Sequence, residues 1–286
     1  MNVLTLNVEA DYGKTYRTIL WELLSSRSYE EVNKRTGAQI SVLRHPVHFN
    51  IDLREHTLPL CGVRRMFPRT AAAEVAWYLL GTKDVSFIRE YAPIWDKFVE
   101  EDGFTVAGAY GHRWRSHFGR DQIEDAIATL QDNPTDRRVA VFAWDPGADG
   151  LGQPSKNVPC PMGFTFSIVD GRLNSAFIIR SSDVFVGLPY DVMGHALLML
   201  AMATSIGGLK GLGTMSVTLA HPHLYGVHRQ MAYDSLQTQD PQDSRVMPSW
   251  SVEQIEENPH GYVDAVKQTF AGIKQPNFHC SPEVVV

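Results

Sequence analysis

The segment from Val192 to Ile206 constrains this chain most. It reads as a strongly apolar helix, and a helix of that kind belongs at the centre of a core. Its most apolar part, Ala196 to Ile206, is far shorter than a membrane span and carries Thr204 and Ser205. Hydrophobic residues are 44% and charged residues 20% of 286, a soluble globular profile that sets aside disorder, collagen and coiled coil. A chain of this length buries a large core without staples.

Other elements follow from pattern. Thr15 to Leu24 predicts an amphipathic helix, and Ala71 to Leu80 a helix almost wholly apolar except for Glu74. Asp121 to Gln131 opens with acidic residues, as helix N-termini prefer. Val139 to Trp144, Phe164 to Ile168, Leu173 to Ile179 and Met215 to Ala220 read as strands. The Gly- and Pro-rich stretch Asp145 to Asn157 is a loop between two strands of one domain rather than a linker, so residues 1–286 read as a single domain. Helices and strands mix without regular βαβ alternation, which predicts an α+β fold.

Charge and cysteine usage narrow the function. Lys plus Arg is 26 against 32 for Asp plus Glu, a net charge of −6, which argues against a general nucleic-acid binder. Cys61, Cys160 and Cys280 form no CxxC pair, and so sparse a set fits a reducing compartment. The N-terminus has no basic segment and meets Glu9 and Asp11 early, so neither a signal peptide nor a membrane anchor is expected and a cytoplasmic location is.

Three kinds of residue can carry chemistry. Glu74 either faces solvent at a helix edge or is a cleft carboxylate with a raised pKa, suited to proton transfer. Cys160 lies in Asn-Val-Pro-Cys-Pro-Met-Gly, after a loop and before a strand. It is either a small buried hydrophobe or a nucleophile at a cleft rim, where a nearby arginine would favour the thiolate. Arg35, Arg137-Arg138 and Arg180 are either solvated surface charges or parts of a clamp for a phosphate dianion. His221 and His223 have no matching cysteine or carboxylate motif, so no metal is expected. There is no GxGxxG before a helix and no P-loop.

Taken in order, these pieces resemble the thymidylate synthase family. Pro159-Cys160 followed by Arg180-Ser181-x-Asp183-x-x-x-Gly187-Leu188-Pro189-Tyr190 is similar to its signature. Arg35-Thr36-Gly37 resembles its phosphate loop, and Glu74-x-x-Trp77-x-Leu79-x-Gly81 the helix of its glutamate. Ile94-Trp95-Asp96, Tyr110-Gly111-x-x-Trp114-Arg115, Asn133-Pro134-x-Asp136-Arg137-Arg138 and His223-Leu224-Tyr225 complete the set. The resemblance implies a large twisted mixed sheet flanked by helices, and a homodimer through the sheet face. It implies that Cys160 adds to C6 of a pyrimidine nucleoside monophosphate, whose C5 takes a one-carbon unit from 5,10-methylenetetrahydrofolate. Arg35, Arg180 and Ser181 would hold the 5′-phosphate, with Arg137 and Arg138 reaching over from the other subunit. His223 and Tyr225 would bind the ribose, and Glu74 and Tyr110 would handle proton traffic. Ile94, Trp95, Asp183, Gly187 and Tyr190 would line the folate site, and Val286 would close over it.

Three positions depart from the family pattern. Pro161 and Thr165 stand where the family has His and Gln, and Asp191 stands where a dUMP enzyme carries Asn. An amide matches uracil O4 and N3–H, whereas a protonated carboxyl matches cytosine N3 and its 4-amino group. Cytidylate-modifying members of the family have Asp at this position. Alternatively, Asp191 caps a helix beginning at Val192. The expected activity is C5 hydroxymethylation of dCMP, with Glu74 and Asp191 helping to activate water. The alternatives are dCMP methylation, a CMP enzyme, dUMP methylation, or a silent binding protein.

Overall fold

The computed structural model describes residues 5–6, 12–25, 27–34, 36–150, 152, 157–238 and 243–278. Its strands are β1 (Thr5–Leu6), β2 (Tyr29–Val32), β3 (Gln39–Val42), β4 (Val47–Asp52), β5 (Ala140–Phe142), β6 (Pro161–Val169), β7 (Arg172–Ile179), β8 (Ser182–Asp183), β9 (Gly211–Leu219) and β10 (Pro222–Tyr225). The helices are α1 (Tyr12–Leu24), α2 (Pro68–Leu79), α3 (Ser86–Arg89), α4 (Tyr110–His112), α5 (Gln122–Asp132), α6 (Leu188–Ile206), α7 (Arg229–Leu236), α8 (Val252–Glu257) and α9 (Pro259–Thr269).

A six-stranded sheet runs β1-β4-β9-β7-β6-β5. Its β1–β4 and β7–β9 pairs are parallel and the others antiparallel, so it is mixed, as expected. Alternation decides its two faces. Phe164 and Phe166 turn inward while Thr165 and Ser167 are exposed, and Val47, Phe49 and Ile51 turn inward while His48 and Asp52 are exposed. The inner face meets the helices, and the outer face carries Phe142 and Ile178 in the open. A second sheet, β2-β3-β10-β8, is not legible as strands in the sequence, because its members are only two to four residues long.

The apolar helix sits where its composition demands. α6 packs against α2, α5, α8 and the inner sheet face, and its side chains from Val192 to Ala203 are almost all buried. It starts earlier than its apolar run predicts, because Pro189 in the first turn is compatible with helical backbone. Gly207, with φ +71°, ends it. Pro68 likewise starts α2, whose buried Ala71, Ala72, Ala73 and Ala76 let its neighbours approach closely. Asp121 caps α5 by accepting from the Ile123 and Glu124 amides, as its acidic start predicts.

The Gly- and Pro-rich loop joins β5 and β6, adjacent antiparallel strands with Val141 opposite Phe164. It delivers Cys160 to the start of β6, where the register shifts between Pro161 and Gly163. The helix carrying Tyr110 is pressed on α2: a Cβ at Gly111 would sit 2.0 Å from the Tyr78 carbonyl oxygen. A Gly111→Ala substitution therefore forces two backbones apart. The expected loss is about 1–3 kcal/mol, seen as a Tm several degrees lower in a circular dichroism melt; an unchanged Tm would contradict this packing.

Candidate active site

Where α2, α6 and the inner sheet face meet lies a cleft with about 440 Å³ of empty space. Glu74 and Tyr78, one turn apart on α2, form one wall. Asp191 and His195, one turn apart on α6, form another. Pro161 and Phe177 come from β6 and β7, and Tyr110 and Trp114 close the end. Aromatic rings line much of this space: Tyr78 meets Tyr110 at 5.2 Å and Trp114 at 5.4 Å, centroid to centroid.

Glu74 is at the cleft wall rather than at a solvent-facing helix edge. It is half-buried, and Trp95 Nε1 donates to its Oε1 at 2.8 Å. Burial pushes its carboxyl up to about 7, against the Trp95 hydrogen bond that favours the charged form. Asp191 is not a helix cap, because Gly187 occupies that position and Asp191 lies inside the first turn. Burial, then the nearby negative charges of Glu74 and Asp183, push Asp191 up to about 8. The two carboxyls are thus separated: at neutral pH Asp191 keeps its proton while Glu74 is part ionised.

Cys160 is half-buried and packs against the core. Its backbone hydrogen-bonds Tyr110, whose hydroxyl burial and the neighbouring Cys160 and Asp191 charges hold far above the ordinary range. Arg180 fixes the loop that presents the thiol. Its backbone N–H donates to the Cys160 carbonyl at 2.9 Å. Its Nε and Nη2 donate to the Pro159 and Val158 carbonyls at 2.8 and 2.9 Å. The guanidinium lies over the Trp144 ring, and Nη1 has no hydrogen-bond partner among the described residues.

The remaining candidates divide. Ser181 is half-buried directly after Arg180, and Asp183 accepts from the Phe185 and Val186 amides, so it shapes the turn into α6. His223 is paired with Asp183 in the register of β8 and β10, and its ring is 5.2 Å from that of Tyr225. Both are buried, so this group forms one unit beside the Arg180 turn. Trp95 and Ile94 lie in a 3-10 turn behind Glu74, Gly187 caps α6, and Tyr190 reaches the cleft. Arg137 and Arg138 are exposed and do not line the cleft; Arg138 grips Asp136 through two nitrogens, at 3.1 and 2.5 Å. Arg35 and Val286 lie outside the described residues. Of the two family replacements, Pro161 lines the cleft, whereas Thr165 is exposed on the opposite sheet face.

Sequence reading missed Tyr78, Phe177 and His195. A signal existed on α6, where Asp191, His195 and Leu198 recur at helical spacing. Inside so apolar a helix, that periodicity does not mark which face meets a cleft.

Residues 14–270 match the thymidylate synthase family, and the chain belongs to that family. It is thereby a one-carbon transferase acting on a pyrimidine nucleotide with methylenetetrahydrofolate as cosubstrate. Among the described residues no cluster of His, Cys, Asp and Glu could hold a metal ion. None of the described helices is long and apolar enough to cross a membrane.

The raised carboxyls have a consequence for stability. Asp191 moves from 3.8 to about 8 on folding, so between those pH values the native state holds a proton that the unfolded chain has lost. The contribution of Asp191 to stability is then full below about pH 4 and is lost as pH rises to about 8, at about 1.4 kcal/mol per unit of pKa difference. Asp191→Asn removes its share of the decline. Its Tm, compared with the unsubstituted protein, should rise from parity near pH 4 to a maximal advantage above pH 8. A constant difference across that range would contradict the burial of this carboxyl.

Proposed function

We propose that the protein hydroxymethylates C5 of a cytidine monophosphate, dCMP by preference, giving 5-hydroxymethyl-dCMP and tetrahydrofolate. The observation that carries the reading is Asp191: a carboxyl in the cleft wall that keeps its proton at neutral pH. In that form its O–H donates to cytosine N3 and its carbonyl oxygen accepts from the 4-amino group. Facing uracil, the ionised form of Asp191 would repel O4, whereas the neutral form can place its proton on the other oxygen, so rejection of uracil comes from the ionised form.

The chemistry then follows from the residues present. The Cys160 thiolate adds to C6, and negative charge moves towards N3, where the Asp191 proton stabilises it. C5 becomes nucleophilic and takes up the one-carbon unit that methylenetetrahydrofolate supplies. A base removes the C5 proton; Glu74, part ionised near neutrality and tied to Trp95, suits that task. Tetrahydrofolate leaves as its nitrogen takes that proton from Glu74, which returns to the carboxylate; the nucleotide then carries an exocyclic methylene, and water rather than hydride attacks it. Arg35, Arg180 and Ser181 hold the phosphate and His223 with Tyr225 the ribose. Ile94, Trp95, Asp183, Gly187 and Tyr190 face the folate, with Val286 closing over it. The reading treats residues 1–286 as one domain, paired as a homodimer across the open sheet face that exposes Phe142 and Ile178, with Arg137 and Arg138 reaching the other subunit's site.

Purified protein with methylenetetrahydrofolate and dCMP, CMP or dUMP, with products resolved by mass spectrometry, tests the reading. A hydroxymethyl mass gain on dCMP without dihydrofolate absorbance is expected. A methyl gain with dihydrofolate would make the protein a methylase, and reaction of dUMP alone would remove the role given to Asp191. Cys160→Ser should lower turnover by at least about 10³-fold while leaving nucleotide binding nearly unchanged, the loss expected of a covalent nucleophile. Asp191→Asn should shift the kcat/KM ratio from cytosine towards uracil, and an unshifted ratio would show that Asp191 does not read the base.

A further inference from the structure

His195 stands one helical turn after Asp191 and lines the same cleft, yet none of the roles above uses it. It is only 5% exposed. Its Nε2 is 2.8 Å from Ser175 Oγ, on the buried face of β7. Its ring lies parallel on Phe177, with centroids 4.2 Å apart and planes at 2°, and edge-on to Phe164 at 5.0 Å. The imidazole is therefore fixed in position by a hydrogen bond on one side and by stacking on a face. Nδ1 has no hydrogen-bond partner among the described residues. A buried polar ring held this firmly, with one nitrogen open in a cleft wall, is built to hold something small and polar.

We propose that His195 is the positioning residue for the attacking water, with Ser175 fixing the ring so that Nδ1 accepts one water hydrogen while the Glu74 carboxylate on the facing helix accepts the other. The inference rests on the hydroxymethylation reading. With both hydrogens engaged, an oxygen lone pair is left for the exocyclic methylene carbon. The O–C bond forms as the π electrons of the exocyclic double bond move into C5=C6. The C6–Sγ bond breaks, Cys160 leaves as thiolate, and one water proton passes to Glu74. Burial keeps the imidazole neutral, with its pKa lowered to about 3, so Nδ1 is available as an acceptor whenever Nε2–H donates to Ser175. Nothing is asked of His195 before this step.

That last point supplies the test. With enzyme in excess over [5-³H]dCMP and methylenetetrahydrofolate present, tritium release reports every step up to loss of the C5 proton. Mass spectrometry of the quenched protein and of the nucleotide reports the water step. His195→Phe keeps an aromatic ring on Phe177 but removes the nitrogen; His195→Gln restores an acceptor; Ser175→Ala frees the ring with the smallest change in packing. The expected result for His195→Phe is tritium release within twofold of the unsubstituted protein, hydroxymethyl product slowed at least tenfold, and accumulation of a covalent methylene adduct on Cys160. His195→Gln should recover part of the rate, and Ser175→Ala should show the same split in weaker form.

Equal slowing of tritium release and product in folded His195→Phe, or no slowing of either, would overturn the inference and leave the hydroxymethylation reading intact. If His195→Phe fails to fold, Ser175→Ala decides by the same comparison. Methyl product and dihydrofolate from the unsubstituted protein would overturn the reading, and the inference with it.

Discussion

The packing of α2 against α6 is the contact on which the rest of the site depends. Each helix brings a carboxylic acid to the seam, Glu74 from one and Asp191 from the other, and among the described residues neither has a basic partner there. Two like-charged groups in a water-poor cleft cannot both ionise at neutral pH at acceptable cost, so their titrations separate. The separation gives one neutral acid and one group poised near neutrality. A fold that held these helices further apart would let water in and return both acids to ordinary behaviour.

That seam is held by apolar packing on every other side. The alanine-rich face of α2 and the apolar circumference of α6 bury the helices against α9, α5, α8 and the inner sheet. The cleft is therefore a shaped gap in a continuous core, and its aromatic lining is an extension of that core. Trp95 illustrates the overlap, since it packs as a core residue while its indole N–H holds Glu74. Arg180 does the same for the thiol: it anchors the Pro159 and Val158 carbonyls and so sets where Cys160 sits, with one guanidinium nitrogen unpartnered among the described residues.

Much of this was legible in the chain. The strands on either side of the Gly- and Pro-rich loop, the helix of Glu74 and the central apolar helix all carry strong local patterns, and each is present. The short strands of the second sheet were not legible, because two to four residues carry too little periodicity. Asp191 as a helix cap was a sound local reading that failed when Pro189 allowed the helix to begin a turn earlier. Thr165 is only five residues after Cys160 in the chain, but strand alternation turns it to the exposed sheet face.

The sequence by itself determined the family, the ordered set of chemical groups and the departure at Asp191, because these are matters of residue identity and spacing along the chain. Only the tertiary structure decided which of those groups share a cleft, and that Glu74 and Asp191 face the same space with raised and separated titrations. It also brought His195, anonymous within an apolar helix, against Ser175 and Phe177 in the wall of the same cleft. The physical reason is that desolvation and mutual charge depend on what surrounds a group in space, and the surroundings here come from segments more than a hundred residues apart.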